Sequence, residues 1–236
     1  MDIKYLTGGV AAIVLALSTA AGAATFNFND IADNTGGPFL LTNGLTTPGG
    51  EGGWASIIGA GLGVVDGGIG VIASGSNANQ SAADAYLDAG NAGLGVCSSG
   101  TAGGSCAGNS DDNVNGSGSG ETLKLSFVDD ATDSALGVNI SSILFRKQNH
   151  GLFNGIIDVF GGELTVAAGL VTANLNLLQT GSSMYSFIWD GTNTGDKDFY
   201  IDNVVVAPVP IPPALLLFAS ALGGLGFLSR RRKANA

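Results

Sequence analysis

An uncharged apolar run near the C-terminus is the feature that most limits the folds open to this chain. Residues 211–228 contain no charged side chain. As a helix the run would be about 27 Å long, close to the roughly 30 Å of a bilayer's hydrocarbon core. Pro212 and Pro213 suit the first turn of a helix, so a transmembrane helix is predicted to begin near Pro213. The alternative is a buried core helix at a chain end.

Four cations follow the run and complete a basic stop: Arg230, Arg231, Arg232 and Lys233. Positive residues that flank a membrane helix stay on the cytoplasmic side. The sequence therefore predicts that the rest of the protein lies on the other side of the membrane. Residues 208–236 are excluded from the fold of the main domain.

A short proline motif precedes the helix: Val209, Pro210, Ile211 and Pro212. Motif, helix and basic tail, in that order, resemble the PEP-CTERM sorting signal of Gram-negative bacteria. The usual third motif residue is Glu, and this chain has Ile211 there. The resemblance covers only residues 208–236. It implies that an exosortase, a membrane-embedded protease-like enzyme, cuts near the motif and releases or transfers the body from the inner membrane.

The N-terminal segment, residues 1–23, is typical of a secretory signal peptide. Lys4 precedes an apolar stretch at residues 8–17, and the small residues Ala21 and Ala23 form a small-x-small cleavage site. We expect cleavage after Ala23, with the mature chain starting at Ala24 or Thr25. An uncleaved membrane anchor is the alternative. Both ends thus predict an exported protein that works at the cell surface or in the extracellular matrix.

The intervening residues 24–207 suit one exported domain, large enough to bury roughly 70% of its unfolded surface. The terminal segments hold five of the nine Lys and Arg but one of the 19 Asp and Glu. The domain is left with 4 basic and 18 acidic residues, a net charge of −14. Such a surface repels nucleic acid, so we expect no nucleic-acid partner.

Short alternating apolar segments separated by Gly and Asn predict an all-β domain. In residues 121–127, Leu123, Leu125 and Phe127 are predicted to face the core, and Thr122, Lys124 and Ser126 to face water. The spacing of these segments favours a jelly-roll-like β-sandwich of about ten strands. One helical turn at 81–87 is an alternative to a strand there. Predicted strands lie at 25–29, 39–41, 57–58, 64–65, 69–73, 85–87, 94–96, 121–127, 138–147, 156–160, 163–168, 171–178, 184–189 and 199–206.

Calcium is the small ligand that the acidic residues fit best, because it prefers hard oxygen donors. Asp111, Asp112 and Asn113 cluster in a polar loop, with Asn115 beside them. A second cluster lies near the last strand: Asp196, Asp198 and Asp202. Neither has the spacing of an EF-hand. The alternative is a solvated acidic loop that binds no ion, and no other cofactor is expected.

Enzymatic chemistry is disfavoured, and we expect a protein that is not an enzyme. His150 is the only histidine, and its neighbours contain no nucleophile elbow. A Gly-x-Ser-x-Gly match at residues 116–120 lies in a Gly/Ser-rich loop without the strand and helix that this motif requires. One His and two Cys cannot make a closed zinc site. Nothing sets Glu121 opposite Glu163, as a glycosidase would need.

The function predicted from these observations is a structural or adhesive role at the cell surface or in the extracellular polysaccharide. The second candidate function is a lectin-like carbohydrate-binding module, with calcium as a possible requirement. The third is a hydrolase. A lectin would use exposed aromatic side chains, although core packing explains the same residues equally well. The candidates are Trp54, Tyr86, Tyr185, Trp189 and Tyr200.

The only two cysteines, Cys97 and Cys106, predict a disulfide in an exported protein. Chain-entropy reasoning gives a stabilisation of about 2–3 kcal/mol for so small a loop. We therefore expect Cys106→Ser to lower the free energy of unfolding by about this amount in urea titrations. A reductant should have the same effect on the wild-type protein and none on the variant. Two free thiols in the exported protein would contradict the assignment.

Overall fold

The fold is known from a computed structural model, which describes residues 22–33, 52–53, 62–77, 82–97, 113–115, 120–171, 175–189 and 195–209. These residues form fourteen strands, a five-residue helix α1 (Phe28–Ala32) and a 3-10 turn (Leu175–Leu177). The strands are β1 (Ala24–Asn27), β2 (Gly52–Gly53), β3 (Leu62–Asp66), β4 (Ile69–Ser76), β5 (Ala82–Asp88), β6 (Gly93–Cys97), β7 (Val114–Asn115), β8 (Thr122–Asp129), β9 (Val138–Arg146), β10 (Gly155–Val159), β11 (Gly162–Ala167), β12 (Leu170–Val171), β13 (Met184–Trp189) and β14 (Asp198–Pro208).

All these strands belong to one antiparallel sheet, so the predicted all-β class is confirmed. The strand order is β2-β5-β6-β14-β9-β12-β11-β10-β13-β8-β4-β3. Gly75 and Ser76 of β4 also pair with Ala83 and Ala82 of β5. Because β5 lies near the other end of that order, this extra pairing curls the sheet back on itself. The strand count exceeds the expected ten partly because β2, β7 and β12 have only two residues each.

The last strand, β14, is hydrogen-bonded along both of its edges. One edge pairs with β9 from Tyr200 to Pro208. The other edge pairs in succession with β7, β6 and β1. Gly93 of β6 has a positive φ of 113°, and a Cβ there would collide with the carbonyl oxygen of Ile201. Close approach of β6 to β14 therefore requires glycine at position 93.

A cluster of aromatic rings fills the space inside the curled sheet. The Phe145 ring in β9 lies 6.0 Å from the Phe187 ring in β13 and 5.6 Å from the Phe199 ring in β14, both nearly edge-on. Phe127 of β8 contacts both Phe26 and Tyr185. Edge-to-face pairs of this kind add to the free energy of burying the rings. The core therefore joins strands that are distant in the pairing order.

The inward positions of β8 agree with the alternation in its sequence, since Leu123, Leu125 and Phe127 are all buried. Lys124 and Ser126 are half-buried rather than fully solvated. Thr122, predicted to face water, is only 3% exposed. That prediction was wrong because alternation separates the two faces of a strand but does not show whether the second face is also covered.

Three predicted boundaries are corrected by local hydrogen bonding. The first strand stops at Asn27, whose side chain caps α1 by accepting a bond from the Asp30 amide at 3.1 Å. The region 82–88 is a strand, so the alternative of a helical turn there is wrong. In the predicted strand 171–178, Val171 belongs to β12 but Leu175–Leu177 form a 3-10 turn.

Several predicted features lie outside the described residues. They include the strands at 39–41 and 57–58, most of the signal peptide with Ala21, and the apolar C-terminal run with its basic stop. Within the described part of the chain, no helix has both the length and the apolar composition needed to cross a membrane. The transmembrane helix therefore stays a prediction.

Phe145 is the ring on which the core depends most, because it contacts the rings of Phe153, Phe187 and Phe199. We expect Phe145→Ala to lower the free energy of unfolding by about 3–5 kcal/mol through lost burial and an unfilled cavity. Leu170→Ala is a matched control, since Leu170 is 52% exposed and its change should stay within about 0.5 kcal/mol. Equal effects of the two substitutions in urea titrations would contradict the proposed core.

Candidate functional site

A polar cavity of about 210 Å³ lies at the start of β14. We call it the β14 pocket. Two short segments form it: the turn that follows β9 and the residues that lead into β14. It is lined by Lys147, Gln148, Asn149, Asp196, Lys197 and Asp198.

The antiparallel register of β9 and β14 brings the two segments together. Arg146, the last residue of β9, pairs with Tyr200, near the start of β14. Residues after 146 and residues before 200 must therefore lie at the same end of the sheet. The pocket thus follows from strand pairing, although its two halves are about fifty residues apart in the sequence.

The turn after β9 has a fixed backbone. The Lys147 amide donates to the Gly151 carbonyl at 2.9 Å, and the His150 amide donates to the Lys147 carbonyl at 2.7 Å. The Asn149 side-chain oxygen accepts a bond from the Gly151 amide at 3.2 Å. His150 has a positive φ of 62°. These contacts hold Lys147, Gln148 and Asn149 at one wall of the pocket.

His150 connects this turn to the turn between β5 and β6. Its Nδ1 lies 2.7 Å from the Gly90 carbonyl oxygen, to which it donates. Its Nε2 lies 3.1 Å from an Asp88 carboxylate oxygen. Both ring nitrogens therefore make contacts that hold two turns together. His150 thus lies in the turn after β9, and neither ring nitrogen is directed at a nucleophile.

Asp196 lines the pocket and is fixed by four contacts. One carboxylate oxygen accepts a bond from the Asn154 amide at 2.9 Å, and the other lies 3.5 Å from the Lys147 ammonium. The Asp196 amide donates to the Asn154 carbonyl at 2.9 Å. The Trp189 indole N–H donates to the Asp196 carbonyl at 3.2 Å. Asp196 is therefore structural, with both carboxylate oxygens occupied.

Asp198 differs from Asp196, because its carboxylate makes no hydrogen bond within the described part of the chain. Burial raises the pKa of Asp198 above its usual value; Lys197 lowers it and Asp196 raises it further. A half-buried carboxylate without a hydrogen-bond donor destabilises the folded state when it is charged. Asp198 therefore has unused capacity to accept hydrogen bonds at the pocket.

The domain's few cations are concentrated at this end of the sheet. Three of the four basic residues between 24 and 207 are Arg146, Lys147 and Lys197. Two of them line the pocket with Asp196 and Asp198, so the pocket lining has no net charge. This neutrality is unusual in a domain with a net charge of −14.

The predicted calcium cluster of Asp196, Asp198 and Asp202 does not converge. Asp202 is buried and forms an ion pair with Arg146, with 2.7 Å between Nε and Oδ2. Burial raises the pKa of Asp202, while the hydrogen bond and charge of Arg146 lower it. Four residues along a strand separate Asp202 from Asp198 by about 13 Å, too far for one ion. No group of three acidic, His or Cys side chains in the described ranges could hold a metal ion.

The other calcium candidate falls partly outside the structure. Asp111 and Asp112 lie outside the described residues, so this site stays a prediction. Asn113 was expected in an exposed loop but is fully buried beside β7. Among the described residues, neither polar atom of its side chain has a hydrogen-bond partner. A buried amide in this state is unfavourable by about 1–3 kcal/mol.

Most aromatic side chains proposed for sugar binding belong to the core. Tyr86, Tyr185 and Tyr200 are each at most 3% exposed, so their faces cannot stack on a sugar. The Tyr185 hydroxyl lies 2.7 Å from the Val138 carbonyl oxygen. Trp189 is half-buried, and its indole N–H contacts Asp196 of the β14 pocket. Trp54 lies outside the described residues.

The structure supports the half of the predicted disulfide that lies in the described residues. Cys97 is disulfide-bonded and buried at the end of β6. Cys106 lies outside the described residues, and its pairing with Cys97 stays a prediction.

The sequence does not predict the pocket, because Lys147, Gln148 and Asn149 belong to no motif. The one available signal in the sequence is charge: residues 147–149 and 196–198 together carry no net charge, in a domain that is otherwise acidic. Comparison with protein-family models, curated proteins and solved structures finds no match to this chain. The candidate site is therefore defined by its geometry and chemistry.

Asp198→Asn should stabilise the protein at neutral pH. An acid with a raised folded-state pKa favours the native state below its unfolded pKa, near 3.8, and this contribution is lost as the pH rises through the folded pKa. The variant should lack this pH dependence. At pH 7 its free energy of unfolding should exceed that of the wild type by at most about 0.5 kcal/mol, which is typical of a surface substitution. Urea titrations at pH 3 and pH 7 measure both, and a loss of stability at pH 7 would contradict an unpartnered Asp198.

Proposed function

We propose that this protein is an exported component of the cell surface or extracellular matrix with a structural or adhesive role. Its domain crosses the inner membrane behind the signal peptide and is held by the C-terminal helix. An exosortase then cuts near the proline motif. The residues that support this proposal are the signal peptide, the motif from Val209 to Pro212 and the basic stop.

The observation that carries the proposal is that the domain's two ends leave the sheet side by side. Ala24, the first residue of β1, pairs with Val206 of β14, and β14 ends at Pro208. We call this side of the molecule the exit end. A domain whose two flanking segments emerge together can have both segments in one membrane while its body remains on one side. This arrangement suits the predicted order of insertion.

The proline motif begins where the folded domain stops. The Val209 amide donates to the Gly137 carbonyl at 3.0 Å, and a Cβ at Gly181 would approach a Val209 methyl group to 2.9 Å. The first motif residue is thus held by the domain. Cleavage beyond it would leave every strand intact, which supports a sorting signal that is removed without damage to the body.

The finer fold assignment is also a proposal. We infer that the curled sheet folds over into the two layers of a jelly-roll-like β-sandwich. β9 and β14 would lie in one layer, and β8 and β13 in the other. Its support is the contact of Phe145 with Phe187, and of Phe26, in β1, with Phe127. Rings that meet from separate parts of one sheet are expected where two layers face each other.

A carbohydrate-binding module is the second candidate, and the β14 pocket favours it. Three of the five aromatic candidates, Tyr86, Tyr185 and Tyr200, are buried and offer no stacking surface. Binding would therefore depend on polar side chains rather than on an aromatic platform. A hydrolase has less support, because His150 and Asp196 are both occupied by structural contacts.

Intact-mass spectrometry of the protein from a Gram-negative host that contains an exosortase tests the main proposal. We expect a mature chain that begins at Ala24 or Thr25 and ends at or after Val209, without the basic stop. The double substitution Pro210→Ala and Pro212→Ala is the matched variant. It should keep the C-terminal tail yet lose the signal peptide normally, because it alters only the motif.

Full-length protein in the cytosol, with both termini intact, would overturn the proposal. A trimmed N-terminus with an intact tail in both wild type and variant would retain export but exclude exosortase processing.

A further inference from the structure

We propose that the β14 pocket binds one neutral sugar unit through hydrogen bonds to Asp198, Lys197 and the side-chain amides of Gln148 and Asn149. The pocket is a site distinct from the sorting segments. Its chemistry depends only on the folded domain, so it holds whether or not the export proposal is correct.

The available groups match the hydroxyls of a sugar. Each hydroxyl donates one hydrogen bond and accepts others. The Asp198 carboxylate accepts, the Lys197 ammonium donates, and the amides of Gln148 and Asn149 can do both. Gln148, Asn149 and Lys197 are exposed at the rim, and Asp198 is half-buried beside them. A sugar could thus give Asp198 the donors that the described part of the fold does not supply.

The charge of the lining argues against an ion as the ligand. A divalent cation would need several oxygen ligands, but both oxygens of Asp196 are engaged and two ammonium groups line the same cavity. An anion would be attracted by the two ammonium groups but repelled by the carboxylates of Asp196 and Asp198, so the lining offers it no net attraction. A neutral ligand with many hydroxyls satisfies both kinds of group without burying a net charge.

The position of the pocket makes it accessible in the exported protein. It lies at Asp198, where β14 begins, whereas the exit end lies at Pro208. Ten steps of an extended strand separate the two by about 33 Å. If the exit end faces the membrane, as the proposed function requires, the pocket opens toward the extracellular polysaccharide. Only this orientation rests on the proposed function.

The size of the cavity limits the ligand to about one ring. Its volume of about 210 Å³ is below the roughly 300–1,000 Å³ of sites for drug-sized molecules. A terminal or side-branch sugar of a polysaccharide would fit such a site. We expect a dissociation constant of about 1 mM, because few atoms are buried.

Trp189 provides a direct readout, since its indole N–H donates to the carbonyl of Asp196, a residue that lines the pocket. The experiment uses the full chain with Trp54→Phe, so that Trp189 is the only tryptophan, in a zwitterionic detergent that contains no sugar. Methyl glycosides of glucose, galactose, mannose, rhamnose and N-acetylglucosamine are titrated while fluorescence is recorded. At least one should give a saturable change near about 1 mM.

Asp198→Asn should weaken that binding at least tenfold, because it removes charge-assisted hydrogen bonds. Gln148→Ala should weaken it less. Asp130→Asn is the matched control, since Asp130 is exposed in the turn after β8, and it should bind as wild type does. Asp198→Asn is expected to be at least as stable as wild type, so unfolding cannot account for its loss of binding.

Three results would overturn the proposal. They are the absence of a saturable change with every glycoside, equal binding by wild type and Asp198→Asn, and a response to calcium chloride or glucuronate but to no neutral glycoside. None of these results bears on the termini of the exported protein, so failure here is distinguishable from failure of the proposed function.

Discussion

The backbone hydrogen bonds of β14 are the constraint on which the rest of the structure depends. Its eleven residues pair with β9 on one edge and with β7, β6 and β1 on the other. Its inward side chains, among them Phe199, Ile201 and Val204, are fully buried. Pairing with β14 positions β1 at the start of the domain and β9 beside the β14 pocket. This one strand therefore determines where both ends of the domain and both walls of the pocket lie.

Sequence alternation was sufficient for most of the sheet. β8, β9, β10, β11, β13 and β14 all lie within a few residues of the predicted positions, because a strand with one buried face has a two-residue period. The errors occur where a local polar contact interrupts that period. Phe28 continues the alternation of Phe26, but the side chain of Asn27 caps a helix there. The spacing of Asn27 and Asp30 was a capping signal that the alternation concealed.

The candidate site was less predictable than the fold, for a physical reason. Asp196 and Asp198 were recognised as a polar cluster, but their different roles depend on Asn154 and Lys147, which the β9–β14 register brings near. Register is a non-local property, and neither segment contains enough information to specify its partner. The sequence likewise predicted that Asp202 would bind an ion together with these residues. In the structure the cation beside Asp202 is the guanidinium of Arg146 from β9. Asp196 thus stabilises the fold through its contacts. The carboxylate of Asp198, in contrast, receives no hydrogen bond from the described residues.

The position of β14 at the end of the domain has a consequence for the order of events during biosynthesis. The segment with the most pairing partners is the last to be translated. Until residue 208 has emerged, β1, β6, β7 and β9 each lack a neighbour, and the aromatic core lacks Phe199. If the domain is exported as proposed, it could not complete its fold until nearly all of it had passed through the secretion channel. Folding would then finish only when the proposed C-terminal membrane segment arrives.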